Sequence, residues 1–174
     1  MHKALDEPEG HLKRTANMDI PSAFIESCRY RDQLVQMACA VSPTHWVTLN
    51  LHRSCPLDVA EKKLDRWRIE VQRRLFGQKF FLKPDYELIS YVGFPEFTAA
   101  GHPHFHLCLR SPLAVTRKFC RIAAVRWKRI VPTGTSYIQL VDDDEHSPLR
   151  MSIYATKDLD PRSPVPFVHS RIHN

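Results

Sequence analysis

Two stretches of the chain alternate with a period of two, and they limit the possible folds more than any other feature. In THWVTLNLHR (44–53), Val47, Leu49 and Leu51 fall on one side, and Trp46, Thr48, Asn50 and His52 on the other. In HFHLCLR (104–110), Phe105, Leu107 and Leu109 alternate with His104, His106, Cys108 and Arg110. Successive side chains of a strand point to opposite faces, so each stretch reads as a strand with a buried back and a polar front. Half-buried strands of this kind belong to antiparallel sheets with one covered face.

The segments around them supply the cover. Residues 21–40 begin at Pro21 and suit a helix, with Phe24, Cys28, Leu34 and Ala38 inward. Residues 56–77 are the clearest helix: Leu57, Ala60, Leu64, Trp67, Val71 and Leu75 recur at spacings of three and four, and Gly77 ends it. Residues 86–94 and 104–110 read as a hairpin joined by PEFTAAGHP. Residues 113–131 read as a helix with Val115, Phe119, Ile122 and Ile130 inward, and 135–141 as a strand. An acidic loop then leads into a final helix ending near 159, with Ser147 as N-cap and Pro148 in its first turn. The expected fold class is α+β: an antiparallel β-sheet with helices packed on one face and the other face open.

At 174 residues the chain has the length of one domain. Residues 1–20 read as a flexible N-terminal arm, 21–159 as the folded domain and 160–174 as a Pro-rich extended tail. The formal charge of +6 favours an anionic partner. Five cysteines, without a C-x-x-C pair, point away from a zinc knuckle or a disulfide framework and toward a reducing cytoplasm. No apolar run has the length of a membrane span, and the polar start lacks a signal-peptide core.

The chemistry gathers around 101–110. Two imidazoles on one strand face, roughly 6.5–7 Å apart along the backbone, can converge on one metal ion. Glu96, on the other arm of the hairpin, can be brought opposite them. Two histidines and a carboxylate with open positions make a catalytic rather than a structural metal set. The plain alternative is that His104 and His106 are solvent-facing residues in a chain with ten histidines. Further on, YATK places Tyr154 and Lys157 on one helix face. Cys108, on the metal side of its strand, reads as a small filler.

Taken in order, WVTLNL (46–51), GHPHFHLCL (101–109) and YATK (154–157) resemble the three motifs of HUH endonucleases, specifically rolling-circle replication initiators with one catalytic tyrosine. The resemblance spans about residues 44–159. It implies an RRM-like, palm-type sheet with metal and DNA on its open face. It also implies nicking and joining of single-stranded DNA through a 5′-phosphotyrosine intermediate. Tyr154 would be the nucleophile and Lys157 a charge neutraliser; His104, His106 and Glu96 would hold magnesium or manganese, although imidazoles also suit later transition metals. Trp46, Thr48, Asn50, His52, Arg53 and Arg110 are placed toward the DNA by strand parity. The implied partners are single-stranded DNA or an origin hairpin, with host helicase and polymerase, in the cytoplasm of a bacterial host. A single-tyrosine transposase of the same superfamily and a non-catalytic single-strand binder are the alternatives.

Overall fold

The two alternating stretches pair with each other. In a computed structural model of the chain, β1 (His45–Asn50) runs antiparallel to β3 (Pro103–Arg110), with Thr48 opposite His106 and Asn50 opposite His104. The structure describes residues 22–141, 149–150, 153–154 and 168–169, with the backbone alone for 22–28. Helix α1 covers Ser22–Ala40, α2 Leu57–Phe76 and α3 Thr116–Ile130. Strand β2 is Ser90–Phe97, β4 Thr135–Leu140 and β5 Val168–His169. All pairings are antiparallel, in the order β4-β1-β3-β2-β5. The expected α+β class and antiparallel sheet are present.

The apolar backs of the central strands meet α2 and α3. Val47, Leu49, Leu51, Phe105, Leu107 and Leu109 pack against Ala60, Leu64, Trp67 and Val71 of α2 and Phe119, Ala123 and Trp127 of α3. Fully burying each large apolar side chain contributes about 1.5–3 kcal/mol, so this layer dominates the stability of the sheet. Two indole N–H groups set its geometry. Trp67 donates to the Ala123 carbonyl at 2.9 Å, tying α2 to α3, and Trp127 donates to the Asn50 carbonyl at 3.1 Å, tying α3 to the end of β1. Gln72, also buried, accepts from the Ile89 N–H at 3.3 Å and fixes the chain entering β2.

The structure corrects four sequence expectations. First, α1 does not join the other two helices. Leu34 and Ala38 lie on the opposite face, over Trp46, Val92, Phe94 and Cys108, so the face expected to be open is roofed at one end. Those four positions supply the apolar floor that Leu34 and Ala38 need, and Cys108 fills space there. Second, the buried stripe of α3 is Phe119, Ala123 and Trp127 at spacings of four, with Ile122 and Ile130 only partly buried beside it. Third, residues 85–87 form a short 3-10 turn, and β2 runs on through Pro95 and Glu96 to Phe97. Proline is tolerated at 95 because β5 pairs only with Val92 and Gly93 among the described residues, which leaves β2 a free edge there. Fourth, Val168 and His169 of the expected tail pair with β2. Leu149, Arg150, Ile153 and Tyr154 are helical; the acidic loop and the rest of that expected helix, Lys157 included, lie outside the described residues, as do the side chains of Phe24 and Cys28.

One buried group makes the fold sensitive to pH. His45 is fully buried against the Phe119 ring, its Nδ1 is 2.8 Å from Thr44 Oγ1, and its Nε2 has no partner among the described residues. Thr44 Oγ1 also accepts from Ser111 N–H and donates to the Leu109 carbonyl. The neutral tautomer with a proton on Nδ1 satisfies that cluster; a second proton on Nε2 would be an orphaned buried donor. Burial accordingly pushes the imidazole down from 6.5 to about 4.

Below pH 6.5 the unfolded chain takes up a proton that the folded chain refuses. Stability from this group is full above 6.5 and is lost as pH falls from there through 4. Urea unfolding should therefore show a loss on the order of 2 kcal/mol between pH 7.5 and pH 5. The ring-for-ring variant His45→Phe should flatten that part of the profile. An equal slope in the variant would show that another group is responsible.

Candidate metal centre

The register of the β2–β3 hairpin assembles the site. Glu96 on β2 lies directly opposite His104 on β3, and the next row on the same face sets Phe94 opposite His106 and His106 opposite Thr48. Glu96 Oε2 lies 3.1 Å from His104 Nε2 and 3.3 Å from His106 Nε2. The side chains are only 8–15% exposed. The three ligand atoms all fall within 4.8 Å of one another, so the group can hold a metal ion.

The donor set fits a divalent cation. Ligands at about 2.1 Å from one ion stand roughly 3.0–3.4 Å apart, as both histidines stand from the carboxylate. Two buried polar atoms of the cluster, Glu96 Oε1 and His104 Nδ1, have no hydrogen-bond partner among the described residues. With a proton on each Nε2, the carboxylate accepts from both imidazoles; with those protons gone, three lone pairs face one point. Burial pushes the Glu96 carboxyl up, but the hydrogen bonds from His104 and His106 and their charge outweigh it and hold the carboxyl at about 2. Glu96 thus offers an ionised carboxylate to the cluster at any physiological pH.

The neighbours of His106 orient it. Its Nδ1 lies 3.1 Å from Thr48 Oγ1, a hydroxyl that can donate to or accept from it, so Thr48 suits either tautomer. Trp46 stacks on the imidazole with ring centroids 5.2 Å apart and planes 18° apart. The Tyr154 ring stands edge-on to both, 5.8 Å from His106 and 5.9 Å from Trp46, and is half exposed. The structure therefore brings together Glu96, His104, His106 and Tyr154, the four positions on which the sequence reading turned.

The residues placed toward DNA by parity separate into groups. Trp46 is buried in the cluster that includes Leu34 and Ala38 of α1, and its ring stacks on His106. Thr48 serves His106. Asn50 and His52 both reach Thr135 Oγ1, at 3.2 and 2.8 Å, at the exposed edge of the metal end. His52 has φ +52°, a left-handed backbone that ends the strand, so parity does not extend to it or to the exposed Arg53. Arg110 is six residues from His104, about 20 Å along the strand. There its Nε meets Ser90 Oγ at 3.3 Å, away from the cluster.

Strand β4 adds a residue that parity alone did not single out for the site. Tyr137 pairs with Thr48, on the row of His106, and is 58% exposed, with its hydroxyl donating to Gln139. The alternation in TSYIQLV was visible, but β4's position beside β1 was not, and only that pairing carries Tyr137 to the metal face.

Calorimetric titration with Mn2+ or Zn2+ checks the site. His104→Ala and His106→Ala should each remove measurable binding. Thr48→Val, which keeps the side-chain shape and removes the hydroxyl, should weaken binding about ten-fold, the usual scale for losing an orienting partner of a ligand. Unchanged affinity in Thr48→Val would take Thr48 out of the site.

No protein-family model and no curated protein matches the sequence. Among solved structures, the chain is similar to the hypothetical protein ORF119 from Sulfolobus islandicus rod-shaped virus 1. The two are 14% identical, with a TM-score of 0.45 over 74% of this chain and 96% of that one. No helix among the described residues is long and apolar enough to cross a membrane.

Proposed function

We propose that the protein is a metal-dependent endonuclease of the HUH type that nicks and rejoins single-stranded DNA, in the manner of a rolling-circle initiator. The observation that carries the reading is the meeting of Glu96, His104 and His106 on one sheet face with the ring of Tyr154 against His106. The ordered motif resemblance adds the reaction.

In this reading the Tyr154 hydroxyl oxygen attacks a backbone phosphorus, and the bond from phosphorus to the 3′-oxygen breaks. The phenolic proton leaves through solvent, and the departing 3′-oxygen takes one up. The products are a 5′-phosphotyrosine and a free 3′-hydroxyl. Rejoining is the reverse attack, and the energy of the broken bond is held in the covalent link. Glu96, His104 and His106 would hold magnesium or manganese, which when bound supplies Lewis-acid polarisation of the scissile phosphate. Trp46 and Thr48 keep His106 aimed at that point. Lys157, three residues beyond Tyr154, takes the role of charge neutraliser on the resemblance alone. The partners in this reading are single-stranded DNA or an origin hairpin, with host helicase and polymerase acting on the exposed 3′-end.

A non-catalytic single-strand binder is favoured by one observation, the exposed Tyr137 ring on the same face, where a base can stack. A labelled single-stranded oligonucleotide pool incubated with Mn2+ separates the readings. A nuclease yields a denaturant-resistant protein–DNA band, and a binder does not. Tyr154→Phe should abolish that band while leaving oligonucleotide affinity within about two-fold, since the nucleophilic oxygen is lost and the ring is kept. Tyr137→Phe should leave the band intact. A band that survives in Tyr154→Phe, or in excess chelator, would overturn the assignment.

A further inference from the structure

The metal face does not account for the concentration of positive charge elsewhere on the molecule. Helix α3 carries six basic residues and no acidic one. The side of α2 and α3 turned away from the sheet forms two adjoining hollows, of about 310 and 470 Å³, that share Arg74 and Arg126. They run together as one groove lined by Arg73, Arg74, Lys118, Arg121, Arg126 and Arg129. Glu70 is the one carboxylate among the described residues lining it, and Arg66 at 3.0 Å and Arg126 at 3.8 Å already engage it.

We propose that this α2–α3 groove docks the phosphate backbone of duplex DNA, independently of the metal centre. Three features select that occupant. The cationic stripe on α3 runs from Lys118 to Arg129, eleven residues or about 16 Å of helix, and a single phosphate would engage only part of it. A duplex presents a charge for about every 1.7 Å of its axis, which matches an extended row. Among the described residues the lining holds no aromatic side chain, and single-strand binders rely on aromatic rings to stack bases. Its apolar lining among the described residues is Ile122 and Val125, too little for the apolar centre of a protein interface.

The groove also lies on the far side of the sheet from the metal. Helices α2 and α3 cover the backs of β1 and β3, whereas Thr48, His104 and His106 project from their fronts. One molecule can therefore hold a duplex on its helices while its sheet face handles a single strand. Docking contributes position rather than sequence preference, because contacts to phosphate carry no base information.

The test is equilibrium binding of the full chain to a labelled, roughly 20-base-pair duplex in excess chelator, so that the metal centre takes no part. The variant is Arg121→Gln with Arg129→Gln, two exposed helix positions where glutamine keeps the helix. The control, Lys62→Gln with Lys79→Gln, removes the same charge outside the groove. The groove variant should weaken duplex binding about ten-fold and reduce the slope of log affinity against log salt by about 1.8, at roughly 0.9 per phosphate contact. The control should change affinity less than two-fold. Equal losses in the two variants would reduce the effect to net charge and overturn the proposal. So would unchanged duplex binding in the groove variant, or displacement of the duplex by polyglutamate as readily as by unlabelled duplex, which would assign the groove to an acidic protein. Loss of the covalent DNA band in Tyr154→Phe has no bearing on this measurement, so the two readings stand or fall separately.

Discussion

The register between β2 and β3 is the constraint on which the candidate metal centre depends. Glu96 meets His104 only because the two are direct cross-strand partners. A slip of one residue would turn Glu96 toward the helices and bring Pro95 to the metal face. Each end of the hairpin resists that slip. At the turn, Gly101 adopts φ +73°, its N–H donates to the Thr98 carbonyl at 2.8 Å, and the Thr98 side chain accepts from the His102 N–H at 3.1 Å. A side chain is strained in that backbone region, which makes the turn specific to glycine. Farther along, a Cβ at Gly93 would come within 2.3 Å of Leu107 Cδ2 and 3.0 Å of the His106 carbonyl. A side chain there would have to displace the buried Leu107 methyl and crowd the backbone of the histidine strand.

What the sequence makes legible follows from how local each signal is. The alternation in 44–53 and 104–110 is set by the nearest neighbours in the chain, and it assigns Val47, Leu49, Phe105, Leu107 and Leu109 to the helix side as found. The stripe of α2 is equally local, and Ala60, Leu64, Trp67 and Val71 are buried. The cluster of Glu96, His104 and His106 is legible because a hairpin is the shortest-range tertiary structure, with the acid eight positions before the first histidine. Legibility ends where distant segments choose between faces. Nothing in 22–40 says that Leu34 and Ala38 will lie on the metal side, because the choice depends on Trp46, Val92, Phe94 and Cys108 from three strands. The stripe expected for α3 contains the buried Phe119 but omits Ala123 and Trp127, for a related reason. Trp127 is held inward by the Asn50 carbonyl, a partner 77 residues away. Parity placed Arg110 and His104 on one face correctly, yet it carries no information about distance along the strand.

The sheet separates two kinds of electrostatic work. On its front, one carboxylate and two imidazoles are gathered at low exposure, and low exposure strengthens each interaction among them. On its back, beyond an apolar layer, the cations of α3 stay in water, where each is individually weak and screened by salt. A buried cluster suits a small, tightly held ion. An exposed row suits a polymer bound through many interchangeable contacts. The apolar layer of Val47, Leu49, Phe105 and Leu107 keeps the two apart, so mutations in one can leave the other intact.

Trp46 joins the elements of the front face. It is packed by Leu34 and Ala38 from α1, stacks on His106, and stands 5.9 Å from the Tyr154 ring. The indole therefore links the first helix, a metal-site imidazole and the tyrosine through direct contact. Neither α2 nor α3 takes part in this linkage; their core grips the opposite side of the same strands. Among the described residues, the rings of Trp46 and His106 stand against Tyr154 beside the candidate ligands. An indole buried on one side by a helix loses little freedom in holding that arrangement. An aromatic residue placed by parity at a nucleic-acid surface is instead enclosed, with its ring stacked on His106 and edge-on to Tyr154.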